Sequence, residues 1–236
     1  MRILAGTSGY SYPAWKGSFY PEDIPSGEML RHYATKLPAV EINNTFYRLP
    51  TPSLLAGWAE QVPESFRFAL KASQKITHIR RLKGAGDETR FLLESAQKLG
   101  PRLGPILFGL PPNLKKDVPR LMSFLELLPS EVRVAFEFRN VSWFDDEVYA
   151  ALRAKNVALC VAEAEDLTVP FVATADWGYL RLRRQDYDDA AVATWARSVR
   201  AQAWTEAFVF FKHEDEGTGP KLAARFLEIV NAGDAP

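Results

Sequence analysis

The stretch VEINNTFY, which covers Val40–Tyr47, opens as a short apolar strand with a carboxylate in its middle. Side chains alternate between the two faces of a strand, so the apolar residues share one face and Glu41 points to the other. An unpaired charge on the inward face of a strand is strongly unfavourable. Glu41 is therefore expected to pair with a basic group on a neighbouring strand, and Lys71 is the first candidate.

The same order of short strand, polar strand end and helix repeats along the chain. Eight strands are predicted, at Ile3–Thr7, Ala39–Asn43, Arg67–Lys71, Ile106–Leu110, Arg133–Phe138, Val157–Val161, Tyr179–Arg183 and Ala207–Lys212. Helical periodicity fills most of the gaps, at Gly27–Leu37, Ser53–Gln61, Glu88–Leu99, Asp117–Leu128, Asp145–Lys155, Asp188–Gln202 and Pro220–Asn231. Only the connection Ala162–Gly178 is too short and irregular for a full helix.

Strands that alternate with helices indicate parallel pairing through right-handed crossovers. The 236 residues fit a compact barrel of eight such units, for which about 250 residues are typical. No Gly-x-Gly-x-x-Gly or Walker sequence follows a strand, which counts against an open nucleotide-binding sheet. Small residues at the predicted inward positions also favour closure, namely Ala5, Ala69, Gly109, Ala135 and Ala158. The fold prediction is α/β: one closed (β/α)8 TIM-like barrel domain over residues 1–236, with the helix between strands six and seven short or missing.

Composition sets limits on partners. Lys and Arg together number 29, as do Asp and Glu, so net charge does not support a nucleic-acid partner, although a local basic patch would allow one. The single cysteine, Cys160, excludes an intrachain disulfide and lies in an apolar run, which predicts a buried structural thiol. No apolar run reaches the ~18 residues of a membrane span, and the N-terminus is not typical of a signal peptide. No membrane partner and a cytoplasmic location are expected; the oligomeric state is not indicated.

Active sites of such barrels lie where the strands end and the following loops begin. Alternation places Glu41, Lys71 and Glu137 on the inward face near those ends, and His78 follows the third strand. These four are the candidate catalytic residues: a glutamate as general base, Lys71 tuning it by charge proximity, and His78 relaying a proton.

Two inward arginines on the seventh strand, Arg181 and Arg183, can grip a phosphate or carboxylate in bidentate fashion. Aromatic residues at other strand ends can stack on a ring. The candidate ligand-binding residues are Asn43, Tyr47, Arg139, Trp143, Arg181, Arg183 and His213. The predicted ligand is an anionic small molecule, either a phosphorylated metabolite or a nucleic-acid fragment.

Several alternatives stay open. The interior charges can simply neutralise one another, which needs no catalytic purpose. The pocket can belong to a hydrolase or isomerase, or to a non-catalytic binding or adaptor protein; a glycosidase would use Glu41 and Glu137 as its carboxylate pair. His78 and His213 show no His-x-His or His-Glu-x-x-His spacing, so no metal site is predicted, and the sequence specifies no cofactor.

Ordered motifs run along nearly the whole chain. They are Gly6–Tyr10 (GTSGY), Trp15–Pro21 (WKGSFYP), Val40–Tyr47, Phe68–Lys71 with Ile76–His78, Leu107–Pro112 (LFGLPP), Phe136–Trp143 (FEFRNVSW) and Tyr179–Leu182 (YLRL). Together they resemble the YecE-like family, a family of unknown function with a TIM-barrel-like fold. The chain departs from the family pattern at the eighth strand, where Phe211–Asp215 reads FKHED, and it lacks a His-Gly pair soon after Arg181. The resemblance implies a fold and no particular reaction.

Overall fold

Eight parallel strands close into a barrel in the computed structural model, which describes residues 1–163 and 167–233. The strands pair in chain order and β1 pairs with β8, which confirms the predicted barrel. They are β1 (Arg2–Ser8), β2 (Ala39–Ile42), β3 (Arg67–Lys71), β4 (Leu103–Gly109), β5 (Val134–Glu137), β6 (Ala158–Glu163), β7 (Trp177–Leu182) and β8 (Glu206–Phe211).

Helices surround the barrel. They are α1 (Met29–Ala34), α2 (Asn44–Tyr47), α3 (Pro52–Ala59), α4 (Gly86–Ala96), α5 (Val118–Leu125), α6 (Asp146–Ala154), α7 (Asp189–Arg200) and α8 (Thr218–Ala232). Residues 167–176, between β6 and β7, contain no helix, as predicted; residues 164–166 of that connection lie outside the described part of the chain. The first helix is shorter than predicted. The predicted Gly27–Leu37 helix begins with a 3-10 turn at Ser26–Glu28, and α1 itself covers Met29–Ala34.

Several of these helices begin where a polar residue interrupts the apolar periodicity, and the side chain of that residue caps the helix N-terminus. Asp117, Asp145 and Asp188 each accept a hydrogen bond from a backbone N–H in the first turn of α5, α6 and α7, at 3.1, 3.0 and 2.8 Å. Thr51 does the same for α3. Such caps satisfy donors that have no partner inside the helix, and their loss costs about 1 kcal/mol each.

Two apolar layers hold the barrel together. The inner layer consists of small and aromatic side chains: Leu4, Ala39, Ala69, Leu107, Ala135, Ala158, Cys160, Ala162, Trp177, Tyr179, Phe208 and Phe210. The outer layer lies between strands and helices, and it contains Ala5, so the inward assignment of Ala5 is wrong. Strand parity explains the correction, because Leu4 is the inward residue and its neighbour must point outward.

The first strand pair brings two backbones unusually close. A Cβ at Gly6 would lie 1.8 Å from the carbonyl oxygen of Ala39, so any side chain there would push β2 away from β1. Cys160 is buried in the inner layer, as the sequence predicts. In the part of the chain that the structure describes, every helix is too short or too polar to cross a bilayer.

Candidate functional site

A buried ion-pair cluster fills the barrel interior just below the C-terminal ends of the strands. Arg181 of β7 reaches across the barrel to two carboxylates: its Nη2 lies 2.8 Å from Oε1 of Glu41 on β2, and its Nη1 lies 2.6 Å from Oε2 of Glu137 on β5. Both glutamates are 0% exposed and Arg181 is 2% exposed. One arginine fork thus joins three strands that are not adjacent in the sheet.

The partner of Glu41 differs from the prediction. A basic partner is present, but it is Arg181 on β7 and not Lys71 on the neighbouring strand. Among the contacts of the described residues, Lys71 forms no ion pair with either glutamate, and its Nζ lies 4.8 Å from the centroid of the Phe46 ring. Strand alternation identifies inward residues and cannot say which of them a long side chain reaches across the barrel.

Both carboxylates also accept hydrogen bonds from other side chains. Glu41 accepts hydrogen bonds from the Ser8 hydroxyl and from the Tyr179 hydroxyl, both at 2.7 Å. Glu137 accepts from Nε of Arg139 at 3.1 Å and from Nη2 of Arg183 at 2.9 Å. This degree of satisfaction is what a wholly buried charge requires.

Burial alone would raise the pKa of both glutamates, but the surrounding arginines reverse its effect. Arg181 and the hydrogen bonds to Glu41 lower the pKa of that carboxyl below its usual value. Arg181, Arg139, Arg183 and Lys71 likewise lower the pKa of Glu137 below its usual value. Burial would lower the pKa of Arg181, and the two glutamates raise it well above its usual value. All three groups are therefore charged at neutral pH. A carboxylate held this strongly is a poor proton acceptor, so the geometry favours structural roles for Glu41 and Glu137 over the general-base role.

A cavity of about 300 Å³ opens above this cluster. Its walls combine five cationic side chains with aromatic and amide groups: Tyr12, Asn43, Asn44, Phe46, Tyr47, Lys71, Arg139, Arg181, Arg183, Lys212 and Glu214. A second cavity of about 240 Å³ adjoins it, and Arg139 and Arg183 line both. These two arginines are the partly exposed members of the cluster, at 35% and 20% of their side chains.

Arg139 and Arg183 keep hydrogen-bonding capacity. Nε of Arg183 is buried and has no hydrogen-bond partner among the described residues. Within the same residues Arg139 bonds only through its Nε, to Glu137, so both terminal nitrogens of its guanidinium lack an acceptor there. A guanidinium carries five N–H donors, so Glu137 anchors each arginine without exhausting it.

Local structure after β2 and β3 places Lys71 and His78 against the same ring, that of Phe46, which lines the cavity together with Lys71. The hydroxyl of Thr45 in α2 lies 2.7 Å from the carbonyl oxygen of Lys71, which ties α2 to the end of β3 and places Phe46 against the lysine. His78 lies in a π-helical turn, Lys75–Ile79, and its ring meets Phe46 edge-on at 4.9 Å.

Both side chains titrate away from their ordinary values. Burial lowers the pKa of Lys71 to about 8, with a further lowering from Arg181 that the two glutamates partly offset. Burial and the charges of Arg139 and Lys71 lower the pKa of His78. Nδ1 of that ring lies 2.9 Å from the hydroxyl of Thr77. A neutral histidine and a lysine that loses its proton near neutral pH are both suited to proton transfer.

Two predicted ligand-binding residues lie elsewhere. Trp143 is fully buried, stacks on Phe138 with ring centroids 4.8 Å apart, and donates its indole N–H to the carbonyl of Leu114. His213 is 8% exposed, and its Nε2 lies 2.6 Å from the carbonyl oxygen of Arg184. Neither lines this cavity, because a strand-end position does not fix side-chain direction once the following loop turns away.

The other predicted binding residues do line the cavity. They are Asn43, Tyr47, Arg139, Arg181 and Arg183, and Tyr47 is 68% exposed at the rim. The list of candidate site residues leaves out Tyr12, Phe46 and Lys212, which line the cavity, and Tyr179, which donates to Glu41. Strand parity would have found Tyr179, two positions before Arg181, but Tyr12 and Phe46 follow no strand period. Within the described residues no group of three or more His, Cys, Asp and Glu side chains is arranged to hold a metal ion.

Comparisons with known proteins agree with this architecture. UPF0759 protein YecE of Escherichia coli (strain K12) is 31% identical over 144 residues, which are 60% of this chain and 50% of YecE. UPF0759 protein YunF of Bacillus subtilis is 29% identical over 140 residues, 56% of this chain and 50% of YunF. The chain thus spans about half the length of the curated relatives it matches.

Among solved structures, a DUF72 family protein from Thermotoga maritima has a TM-score of 0.82 at 24% identity, covering 98% of this chain and 100% of that one. A second, from Enterococcus faecalis, has a TM-score of 0.82 at 20% identity, covering 97% and 95%. At such identities the likeness shows the fold alone. The family model described as "Protein of unknown function DUF72" matches residues 4–236, so this chain belongs to the DUF72 family, as its resemblance to YecE-like proteins predicts.

Proposed function

We propose that the mouth of the barrel binds a small anionic ligand, a phosphorylated metabolite or a nucleic-acid fragment, and that the protein acts on it as an enzyme. The observation that carries this proposal is the unpartnered, buried Nε–H of Arg183 beside a cavity that Arg183 itself lines. A buried donor without an acceptor costs about 1–3 kcal/mol. An oxyanion that settles against Arg183 recovers that cost.

The charges around the cavity support the same ligand class. Five cationic side chains line it, against Glu214 at the rim and the two glutamates below. With Lys71 protonated, positive charge exceeds negative charge in a concave site with low-dielectric walls, where a field acts on an anion more strongly than on an open surface. Arg139 and Arg183 have the planar forks that match a phosphate or carboxylate.

Arg181 is predicted from the sequence to bind the ligand, but we assign it a supporting role instead. Its nitrogens already bind Glu41 and Glu137, and it is 2% exposed. It therefore forms the floor of the site: it holds Glu137, and Glu137 in turn orients Arg139 and Arg183. Buried pairs of this kind position the groups that touch a ligand.

A binding or adaptor protein is the second candidate, and one observation favours it. Both interior glutamates are ionised and hydrogen-bonded through both oxygens, which removes the most obvious general bases. The enzyme proposal then depends on Lys71 and His78, which have shifted pKa values and no carboxylate partner among the described contacts. A glycosidase is disfavoured, because it needs one protonated carboxyl group and Arg181 lies between the two glutamates.

Calorimetric titration with inorganic phosphate, sulfate and a mononucleotide tests the anion site. We expect binding that weakens as salt rises, and a loss of about tenfold or more in Arg183→Ala, which corresponds to the scale of a charged hydrogen bond. Arg183→Lys should not restore full affinity, because lysine lacks the planar fork. Arg90→Ala is the matched control, since Arg90 is an exposed arginine of α4 that pairs only with Asp87 in its own helix.

Two outcomes would overturn the anion site: no binding of any of the three anions at millimolar concentration, or equal affinity in wild type and Arg183→Ala. Turnover of a panel of phosphate esters and phosphorylated sugars then separates the two candidates. Binding with turnover that Lys71→Met abolishes supports the enzyme. Binding without turnover of any member supports the binding protein.

A further inference from the structure

Lys71 differs from every other cation of the cavity in the contacts it makes. Arg139, Arg181 and Arg183 each bind a buried carboxylate, and Lys212 lies 3.9 Å from Glu214. Lys71 has no ion pair among the described residues; its amine lies over the face of Phe46. A lysine at the end of a barrel strand, facing a ligand cavity, half-buried and without a carboxylate, is poorly placed for a purely structural role.

We infer that Lys71 is a nucleophilic amine and that the ligand of the barrel mouth is an anionic aldehyde or ketone, which Lys71 binds as an imine. This inference rests on the proposed anion site, because Arg139 and Arg183 would hold the phosphate or carboxylate of that ligand. It adds a reactive group to the site and narrows the ligand class to carbonyl compounds.

The chemistry requires a lysine that is neutral for part of the time. An amine is activated as a nucleophile when burial and nearby cations disfavour its protonated form. Both conditions hold here, since burial and Arg181 bring the pKa of Lys71 to about 8. At neutral pH about a tenth of such a lysine is unprotonated, whereas an ordinary lysine is almost wholly protonated.

The steps balance without an added oxidant or reductant. The lone pair of Nζ attacks the carbonyl carbon and forms the C–N bond while the C=O π electrons move to oxygen. Proton transfer from nitrogen to oxygen gives a carbinolamine. The carbinolamine hydroxyl then takes a proton from solvent, the nitrogen lone pair forms the C=N bond, and the C–O bond breaks with loss of water, which leaves the protonated imine. His78 packs against the same Phe46 ring as Lys71, and its neutral imidazole can carry the proton that leaves nitrogen.

The site offers the means to select such a ligand. Arginine forks orient the anionic end, and Phe46 with Tyr12 and Tyr47 supplies apolar faces for the carbon skeleton. The cavity of about 300 Å³ is the size of a small-molecule site. Holding the carbonyl against the amine turns a bimolecular addition into an effectively intramolecular one.

Imine trapping on the full chain tests the inference. Pyridoxal 5'-phosphate, an aldehyde that carries a phosphate, is the probe; pyridoxal, which lacks the phosphate, is the neutral comparison. Sodium borohydride delivers hydride to the imine carbon and fixes any adduct as a secondary amine, which peptide mass spectrometry locates. We expect labelling concentrated at Lys71, at least tenfold faster than at Lys212, and slowed by inorganic phosphate.

Variants separate the two parts of the inference. Lys71→Arg should remove the fast adduct, whereas Lys212→Arg, the matched change at the same cavity, should keep it. Arg183→Ala should reduce the preference for pyridoxal 5'-phosphate over pyridoxal. Protection by phosphate is measured on the wild type and needs no variant to fold.

The outcomes distinguish this inference from the anion site. Labelling spread evenly over surface lysines, in a protein that binds phosphate by calorimetry, overturns the nucleophile and leaves the anion site standing. Fast labelling of Lys71 at equal rates by both aldehydes, without protection by phosphate, supports the nucleophile and overturns the anion site.

Discussion

Two clusters of arginine and glutamate lie at opposite ends of the barrel, and they differ in their access to water. At the N-terminal end, Glu206 of β8 pairs with Arg2 and Arg133, whose side chains are 46% and 44% exposed. At the C-terminal end, Arg181 pairs with Glu41 and Glu137 at 2% exposure or less. The residue types are the same and all three glutamates are buried, but only at the C-terminal end is the arginine that joins the carboxylates buried as well.

Charges that water reaches, as at the N-terminal end, can be left partly unpaired, whereas charges buried inside the barrel must be paired with opposite charges. Near Glu206, burial and the positive charge of Arg2 lower the pKa of Arg67. Water screens the repulsion between these two arginines. Inside the barrel both carboxylates are inaccessible to bulk solvent, so their charge must be matched by donors in the protein. The site residues are therefore held by the interior cluster, and the outer cluster closes the opposite end of the barrel.

The largest expected effect comes from removing the shared arginine. Arg181→Met leaves two buried carboxylates without their main partner, and breaking a buried pair in this way costs about 3–5 kcal/mol. Arg133→Met at the other end should cost under about 1 kcal/mol, because Arg133 is 44% exposed and Glu206 keeps Arg2 as a partner. Urea denaturation of both variants gives the two free energies of unfolding. Equal losses in the two variants would show that the buried ion pairs contribute no more to stability than those at the N-terminal end.

The second-largest effect on stability is expected from acid, which protonates the interior glutamates. The folded-state pKa values of Glu41 and Glu137 lie below their ordinary value of 4.5, so the charged cluster contributes its full stability above that pH and loses it as pH falls through the folded values. Glu137→Gln should destabilise the protein at pH 7, and the difference from wild type should shrink towards pH 3. Urea denaturation across this pH range measures it. A difference that does not change with pH would mean that charge is not the source of the stability.

The sequence predicts the barrel and the interior charges because both follow from strand periodicity. Glu41, Glu137, Arg181 and Arg183 share inward parity, and the structure brings all four together. Periodicity cannot rank partners across a closed barrel, which is why Lys71 is not the partner of Glu41. The distance across the barrel depends on closure, a property of all eight strands together.

Loops account for the rest of the difference. Trp143 follows Arg139 by four positions, yet a 3-10 turn at Val141–Trp143 directs its ring into the packing behind the strand end. Phe46 enters the site through the short helix α2, which the sequence does not predict as a helix. Such segments are set by tertiary contacts such as the hydrogen bond from Thr45 to the Lys71 carbonyl, and these have no local signature.

A smaller effect is expected on ligand binding as Lys71 loses its proton. The pKa of Lys71 is about 8, so raising pH from 7 to 9 removes one positive charge from the cavity wall. Sulfate affinity should fall about fivefold, which corresponds to about 1 kcal/mol, the scale of one charge at close range in a wet site. Sulfate does not titrate in this range, unlike phosphate. Calorimetry at both pH values gives the change, and Lys71→Gln should bind sulfate equally at the two.

The smallest effect on stability is expected from a change at the N-terminal cluster of Glu206, Arg2 and Arg133. Arg2→Ala removes one of the two arginine partners of Glu206, the one whose Nη1 lies 3.3 Å from that carboxylate, but Arg133 still satisfies it. We expect a loss of about 0.5 kcal/mol in the free energy of unfolding, because water already screens the pair and holding two long side chains in place costs entropy.

Salt provides the check on this last expectation. The difference between wild type and Arg2→Ala should disappear in 1 M sodium chloride, where the screening length is about 3 Å, whereas the cost of Arg181→Met should persist because ions do not enter the interior. A double-mutant cycle with Glu206→Gln isolates the pair from the hydrogen bond that Arg2 also donates to the carbonyl of Ser65. If the Arg2→Ala loss exceeds about 2 kcal/mol or resists salt, the N-terminal cluster behaves as a buried one, and the contrast between the two ends of the barrel fails.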